Sequence, residues 1–272
     1  MHQQSVSRVI TIAALAKSRR VLFAALAAIM GFSVLCIGMM ATGLSSESEV
    51  ADAKGEFAAS VGTDDSLPQP KVDMAIVRTS QDEGKTVNLT LDDGPDPRWT
   101  PKFLDLLKQH GAKAVFCVTG PNAAARPDLV KRIVAEGHRL CDHSVSHDTA
   151  MDGKPVAYQE KEILDAKRMI DEASGGKRIW YYRAPGGAFT PESRQIAAAH
   201  SMVNLGWNVD PRDFERPGTE RIVAAVKAQI TKGPTVLMHD GGSNRTQSLA
   251  ALKELLPWFK EQGYAFSFPK AD

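Results

Sequence analysis

The sequence has little of what marks several protein classes. Three cysteines in 272 residues are too few for a disulfide-built scaffold. Lys and Arg total 33 against 32 Asp and Glu, a formal net charge of +1, so bulk electrostatics gives no case for nucleic-acid binding. No long run of one charge sign occurs, and with 24% charged and 43% hydrophobic residues the chain is not of the disordered type. No GxGxxG or GxxxxGK[ST] follows the first strand-like segment, which removes support for a nucleotide-binding sheet. There is no internal repeat.

One long apolar run is present. Residues 21–44 contain no charged side chain, and about 20 such residues suffice to span a bilayer as a helix. Lys17, Arg19 and Arg20 precede the run, while Glu47 and Glu49 follow it. Positive charge on the N-terminal side predicts a cytoplasmic tail (1–20), a transmembrane signal anchor (21–44) and an exported C-terminal part. A cleaved signal peptide is the alternative. Its apolar region is usually about 7–15 residues, shorter than this run, and the small-x-small triplet Ala51-Asp52-Ala53 lies well beyond it. Export, with the protein tethered to the membrane or secreted, holds under both readings. Residues 45–84, rich in Ser, Ala, Asp, Glu and Gly and carrying Pro68 and Pro70, read as a flexible linker. Residues 85–272 form a domain of ordinary size.

Within that domain, strand-like and helix-like segments alternate. Strands are predicted at 86–91, 114–118, 138–141, 179–183, 202–207, 234–238 and 264–268. Helices are predicted at 99–109, 127–136, 156–172, from Thr190-Pro191 onward, at 220–231 and at 249–262. Such alternation argues for a parallel sheet covered by helices, without separating a closed barrel from an open sheet. Cys117 and Cys141 fall near strand ends, where they are either a pair in an exported protein or two buried thiols.

Polar residues cluster at the C-terminal ends of these strands. Asp92 and Asp93 follow the first, His143 and His147 the third, and Arg183 ends the fourth. Asp210 and Asp213 follow the fifth, and His239 and Asp240 end the sixth. In a parallel barrel these ends share one face, the face that carries active sites. His143-Ser-Val-Ser-His147 spaces two imidazoles by four residues, which on a helical turn puts both on one side. With Asp93 they make a set of two histidines and one carboxylate, which leaves positions open as a catalytic metal site requires. The tandem acids fail the helix-loop-helix calcium pattern, because position 12 counted from Asp92 is Phe103. Adjacent residues on a strand point to opposite faces, so Asp92 is expected to diverge from Asp93. Taken singly, each cluster has an ordinary structural explanation as a turn, a salt bridge or a capped strand end; five together point to chemistry.

The residues now resemble a known family, the polysaccharide deacetylases of carbohydrate esterase family 4, or NodB-homology domain. Thr-Leu-Asp-Asp-Gly at 90–94 is similar to its first motif, where Phe is usual at the second place. His143-Ser-Val-Ser-His147 resembles the second, Arg183-Ala-Pro-Gly-Gly the third, Asp210-Pro-Arg-Asp-Phe the fourth and Leu237-Met-His239 the fifth. The resemblance implies a distorted (β/α) TIM-like barrel of about seven parallel strands. It implies Asp92 as catalytic base, His239 as catalytic acid, Arg183 orienting Asp92 and Asp213 orienting His239. Asp93, His143 and His147 would hold a divalent metal, zinc first, with cobalt or manganese as alternatives. Pro185, Gly186, Phe214 and Leu237 would contact substrate. Phe214 stands where Trp is usual and Gly186 where an aromatic is frequent, so the wall beside the acetyl group is expected to differ. The implied reaction is removal of N-acetyl groups from a glycan polymer; the apolar run, which would hold the protein in the lipid bilayer with its domain outside, makes that polymer extracytoplasmic, peptidoglycan first and chitin-type oligomers next. The alternatives are hydrolysis of O-acetyl esters on a glycan, and non-catalytic glycan binding at the cell surface.

Overall fold

The computed structural model of the protein describes residues 64–271. The tail, the apolar run and the first part of the linker, residues 45–63, lie outside the described residues. Among the described residues no helix is long and apolar enough to cross a membrane.

Seven strands form the framework: β1 (Thr86–Asp92), β2 (Ala114–Val118), β3 (Arg139–Asp142), β4 (Ile179–Tyr182), β5 (Val203–Asn204), β6 (Thr235–His239) and β7 (Ala265–Phe266). Their order is β5-β4-β3-β2-β1-β6, every pairing is parallel, and β7 pairs with the start of β1. β1 is buried along its whole length, as a central parallel strand must be when both faces are covered. Helices α1 (Thr100–Gln109), α2 (Gly120–Ala125), α3 (Pro127–Ala135), α4 (Val156–Ser174), α5 (Pro191–Ala199), α6 (Thr219–Gln229) and α7 (Thr246–Glu261) provide the crossovers.

The two sheet faces pack differently. Leu89, Leu91, Phe116, Val118 and Leu140 join helix residues such as Phe103, Leu104, Ile133, Ile163 and Leu255 in the main core. Val115, Cys117, Cys141, Tyr181, Val203 and Leu205 make a second core with Ala271, against which Val72, Val77 and Phe268 pack. The concave face is therefore filled by the segment before β1 and the chain after β7. That segment, assigned to the linker from sequence, is hydrogen-bonded to the domain over residues 64–84: Asp64 N–H donates to Gln195 Oε1, Lys71 to the Ala198 carbonyl, Val77 to Asn204 and Gln81 to Phe268. Cys117 and Cys141 are register partners on β2 and β3 and form a disulfide, which resolves the alternative left open above.

The sheet curls into an incompletely closed half-barrel, and the reason lies in β5. Six extended residues were expected there and two are found. Beyond Asn204 the chain changes partner: Leu205 N–H still bonds Tyr182, but Gly206 bonds Val77, and Asn208 and Val209 bond Thr235 of β6. The strand thus spends its length bridging two neighbours. β7 is likewise two residues rather than five, and α2, a six-residue helix opening on Gly-Pro, has no counterpart in the sequence expectations because it is too short to show a period. The start expected at Thr190-Pro191 is present as a capping box, with Thr190 Oγ1 accepting from Ser193 N–H and Ser193 Oγ from Thr190 N–H.

His138, buried beside the Phe116 ring, accepts a hydrogen bond from Ala114 N–H at 3.1 Å. Burial, reinforced by the nearby Lys113 ammonium, lowers its pKa to about 4. The unfolded imidazole titrates near 6.5, so between pH 6.5 and 4 the unfolded chain takes up a proton that the folded one refuses. Stability falls across that window, by about 3 kcal/mol at its lower end, and this group has no influence above it. His138→Asn, whose amide oxygen can accept the same bond, should flatten that part of the profile when urea midpoints are compared at pH 7 and pH 4.

Candidate active site

The C-terminal ends of β1, β3, β4 and β6 and the loop after β5 converge on a cleft of about 450 Å³, whose lining includes Asp92, Asp93, His143, His147, Arg183, Gly186, Trp207, Asp210, Phe214, Leu237 and His239. Pro185 is buried beneath the turn that carries Gly186 and is not among the lining residues. Asp213 lies behind the cleft, fully buried.

Arg183 is the most constrained side chain of the site. It is fully buried and reaches across the concave face. Its Nη1 donates to Asp92 Oδ1 at 2.6 Å and to Thr90 Oγ1 at 2.8 Å. Its Nε and Nη2 donate to the carbonyls of Leu205 and Gly206, both at 3.2 Å. Burial lowers its pKa and the facing Asp92 carboxylate opposes that; the guanidinium stays charged at any ordinary pH. Removing either partner of such a pair leaves a buried charge alone, at about 3–5 kcal/mol.

The two tandem acids do not diverge as strand alternation suggests. Asp93 has φ of 72°, outside β geometry, and this turns its carboxylate back toward the histidines. Asp92 Oδ2 is 3.6 Å and Asp93 Oδ1 3.7 Å from His143 Nε2. The Asp93 carbonyl is held by Asn122 Nδ2 at 2.8 Å, and Gly241 lies so close that a Cβ there would sit 2.1 Å from that carbonyl oxygen. Only glycine fits at Gly241.

The two histidines do not lie on a helical turn either. Residues 143–147 form a loop in which Ser144 (φ 65°) and His147 (φ 56°) are left-handed. The rings still meet, with centroids 4.9 Å apart, and His147 Nε2 is 3.2 Å from Asp93 Oδ1. His143 Nδ1 lies 2.7 Å from the Arg183 carbonyl. A carbonyl only accepts, so Nδ1 carries the proton and Nε2 offers its lone pair. Burial drives the His143 pKa to about 3, which keeps that lone pair available at neutral pH.

These residues suit a divalent cation. One ligand atom each from Asp93, His143 and His147 falls within 4.8 Å of the others. Asp93 Oδ1 is buried without a hydrogen-bond partner, a costly arrangement unless something electropositive faces it. Mixed nitrogen and oxygen donors with only three protein ligands match an open zinc-type site.

On the opposite wall, His239 Nδ1 donates to Asp213 Oδ1 at 2.7 Å. Asp213 Oδ2 accepts from His239 N–H at 3.1 Å and from Ser248 Oγ at 2.5 Å. Burial alone would lower the His239 pKa, but the Asp213 bond and the charges of Asp213, Asp92 and Asp93 raise it above its ordinary value. The site therefore holds one imidazole that resists protonation and another that favours it. Phe214 stands edge-on to His239 at 5.4 Å and, with Trp207 and Leu237, supplies the apolar wall. Asp210 lines the rim, with Oδ1 accepting from Arg212 N–H. Sequence reasoning did not single out Trp207, Thr149 or Arg245. Arg245 Nη2 lies 3.6 Å from Asp93 Oδ2, and its only sequence signal is a position six residues past His239.

Comparison with known proteins follows the same lines. The polysaccharide deacetylase family matches residues 79–205. A peptidoglycan-N-acetylglucosamine deacetylase of Bacillus cereus is 39% identical over 184 residues, covering 67% of this chain and 85% of that protein. A chitooligosaccharide deacetylase of a Bradyrhizobium species is 37% identical over 191 residues, covering 66% and 87%. A solved pseudoenzyme of carbohydrate esterase family 4 from Bacillus anthracis superposes with a TM-score of 0.65 at 27% identity, covering 72% of this chain and 67% of that one.

In Asp213→Asn the imidazole of His239 loses its anionic partner. Its titration, followed by NMR of the ring protons, should move to lower pH than in the wild type.

Proposed function

We propose, since this chain belongs to the polysaccharide deacetylase family, that its cleft removes N-acetyl groups from amino sugars of an extracytoplasmic glycan, peptidoglycan first and chitin-type oligomers second. The chain is a hydrolase acting on amide bonds, and its relatives named above are deacetylases of these two glycan types. The observation that carries the residue assignment is the split between the two imidazoles, one neutral beside Asp93 and one raised by Asp213, with a buried carboxylate between them.

Asp93, His143 and His147 would hold the metal. A divalent cation bound there supplies Lewis-acid polarisation of the acetamide carbonyl and brings the pKa of water toward about 7. Asp92 is the base. Its Oδ1 is committed to Arg183, which leaves Oδ2 to take the proton from the attacking water. As the C–N bond breaks, protonated His239 delivers a proton from Nε2 to the leaving nitrogen, and Asp213 stabilises the imidazolium. Acetate and a free amino sugar result, and the proton taken by Asp92 returns to solvent or to His239. Leu237, Trp207 and Phe214 enclose the acetyl methyl and exclude water from it.

Separate features support the position proposed for the enzyme. The uncharged run at 21–44 with its basic flank supports a membrane tether with the catalytic part outside. The Cys117–Cys141 disulfide is of a kind that persists in oxidising compartments. A tethered enzyme at that location has the wall polymer within reach, which supports peptidoglycan as substrate. The likeness to a pseudoenzyme of the same fold means that fold alone does not secure activity. Here the acid, base and three ligand side chains are all present.

The test is acetate release by the full-length protein from peptidoglycan and from chitin oligomers. Chelator should abolish release and added zinc restore it, and peptidoglycan should be the better substrate. Asp92→Asn should lower kcat by roughly 10²–10⁴-fold with bound metal retained. A metal-replete Asn variant of full activity would remove Asp92 from the role of base, and acetate release confined to O-acetylated glycans would replace amide by ester cleavage.

A further inference from the structure

We infer that Glu162 is a positioning residue for the metal-binding loop: its carboxylate holds residues 144–147 in the shape that lets His143 and His147 address one cation. The inference rests on the metal-site reading given above and assigns a device to it.

The loop does not hold this shape by its own preferences. Ser144 and His147 both adopt left-handed φ without being glycine, a conformation that persists only where surrounding contacts impose it. The contacts are specific. Glu162 Oε2 accepts from Val145 N–H at 3.1 Å, from Ser146 N–H at 2.8 Å and from Ser146 Oγ at 3.0 Å. One carboxylate oxygen thus gathers three donors from two consecutive residues, at the middle of the segment that separates the two imidazoles. Charge-assisted bonds of this kind are the stronger ones. The loop ends are fixed separately: Asp142 Oδ1 takes Ser144 N–H at 2.8 Å, and Ser144 Oγ takes His147 N–H at 3.2 Å.

The carboxylate is itself well anchored. Glu162 is 9% exposed and sits on α4 beside buried Ile163, Ala166 and Ile170. The helix meets α2 at Gly120, where a Cβ would stand 2.8 Å from Ala166 Cα, and Gly120 N–H donates to the Ser144 carbonyl at 3.0 Å. The loop is therefore gripped from both sides by elements that already touch. Glu162 is in hydrogen-bond contact with the loop between the ligands and not with either ligand ring, so its effect on the metal is transmitted through backbone geometry. Partners that orient ligands in this way typically change metal affinity by roughly 10–100-fold when removed.

The experiment measures zinc affinity by calorimetric titration of the full-length protein, with cobalt absorption as a reporter of ligand geometry. Glu162→Ala should weaken zinc binding by roughly 10–100-fold and alter the cobalt spectrum. Glu162→Gln, whose amide oxygen still accepts, should lose less. Gln159→Ala is the control. Gln159 is buried on the same helix and bonds Thr190 and the Lys154 carbonyl, away from the loop, so its removal should lower the melting temperature and leave zinc affinity unchanged. Zinc binding by both Glu162 variants as tight as wild type would overturn the inference, as would an equal loss of affinity in Gln159→Ala. A wild-type protein that binds neither zinc nor cobalt would instead overturn the metal-site reading on which it rests.

Discussion

A guanidinium with no access to water organises the top of this sheet. Arg183 is an expensive group to bury, and its position is tolerable only because four acceptors converge on it: Asp92, Thr90 and the carbonyls of Leu205 and Gly206. Those acceptors come from β1 and from the stretch where the chain leaves β5. The same demand therefore explains why β1 ends in a carboxylate, and why that carboxylate has one oxygen engaged and one free. His143 is tied to the same residue through the Arg183 carbonyl, so the tautomer of a candidate ligand and the orientation of the candidate base share one anchor.

Electrostatics then separates groups that are chemically alike. Asp92 and Asp93 are neighbours in sequence and both approach His143, yet Asp92 is neutralised by a buried cation while Asp93 keeps a buried oxygen without a partner. His143 and His239 are both buried imidazoles, yet Nδ1 of the first meets a neutral carbonyl and Nδ1 of the second an aspartate. Pairs of like residues pushed apart by their surroundings are the recurring signature of acid–base sites. In the fold of this family such a separation needs no unusual residue, only a different second contact for each.

Much of this was readable from the sequence, and the failures have physical causes. The alternating pattern located most strands and helices within a few residues, because parallel strands and covering helices carry opposite periods. The family resemblance is borne out by the comparisons. Several local expectations failed, and three of them show why. Residues 143–147 are not a helical turn, since Glu162 and Asp142 impose a shape that their own propensity does not favour. Asp93 does not alternate with Asp92, since its left-handed φ takes it off the strand. β5 is short, since beyond Asn204 its backbone serves Val77 and Thr235 in turn. Each failure lies where a distant partner, invisible to a local pattern, decides the backbone. Residues 64–84 were read as spacer for the same reason. Their polar composition hides a few apolar contacts, those of Val72 and Val77 among them, that cover the second core. Gly186 and Phe214 were legible as departures, but not that Thr149 would pack against Gly186 and the Trp207 ring against Gly187.

The proposed chemistry divides labour between two adjacent aspartates, one paired to Arg183 and the other turned toward His143 and His147. Anomalous diffraction at the zinc edge, from crystals of the zinc-loaded protein, tests this most directly. The predicted result is a single strong peak bonded to Asp93 Oδ1, His143 Nε2 and His147 Nε2, with Asp92 still paired to Arg183 and outside the coordination sphere. A peak bonded to Asp92, or one that leaves the two histidines unligated, would contradict it.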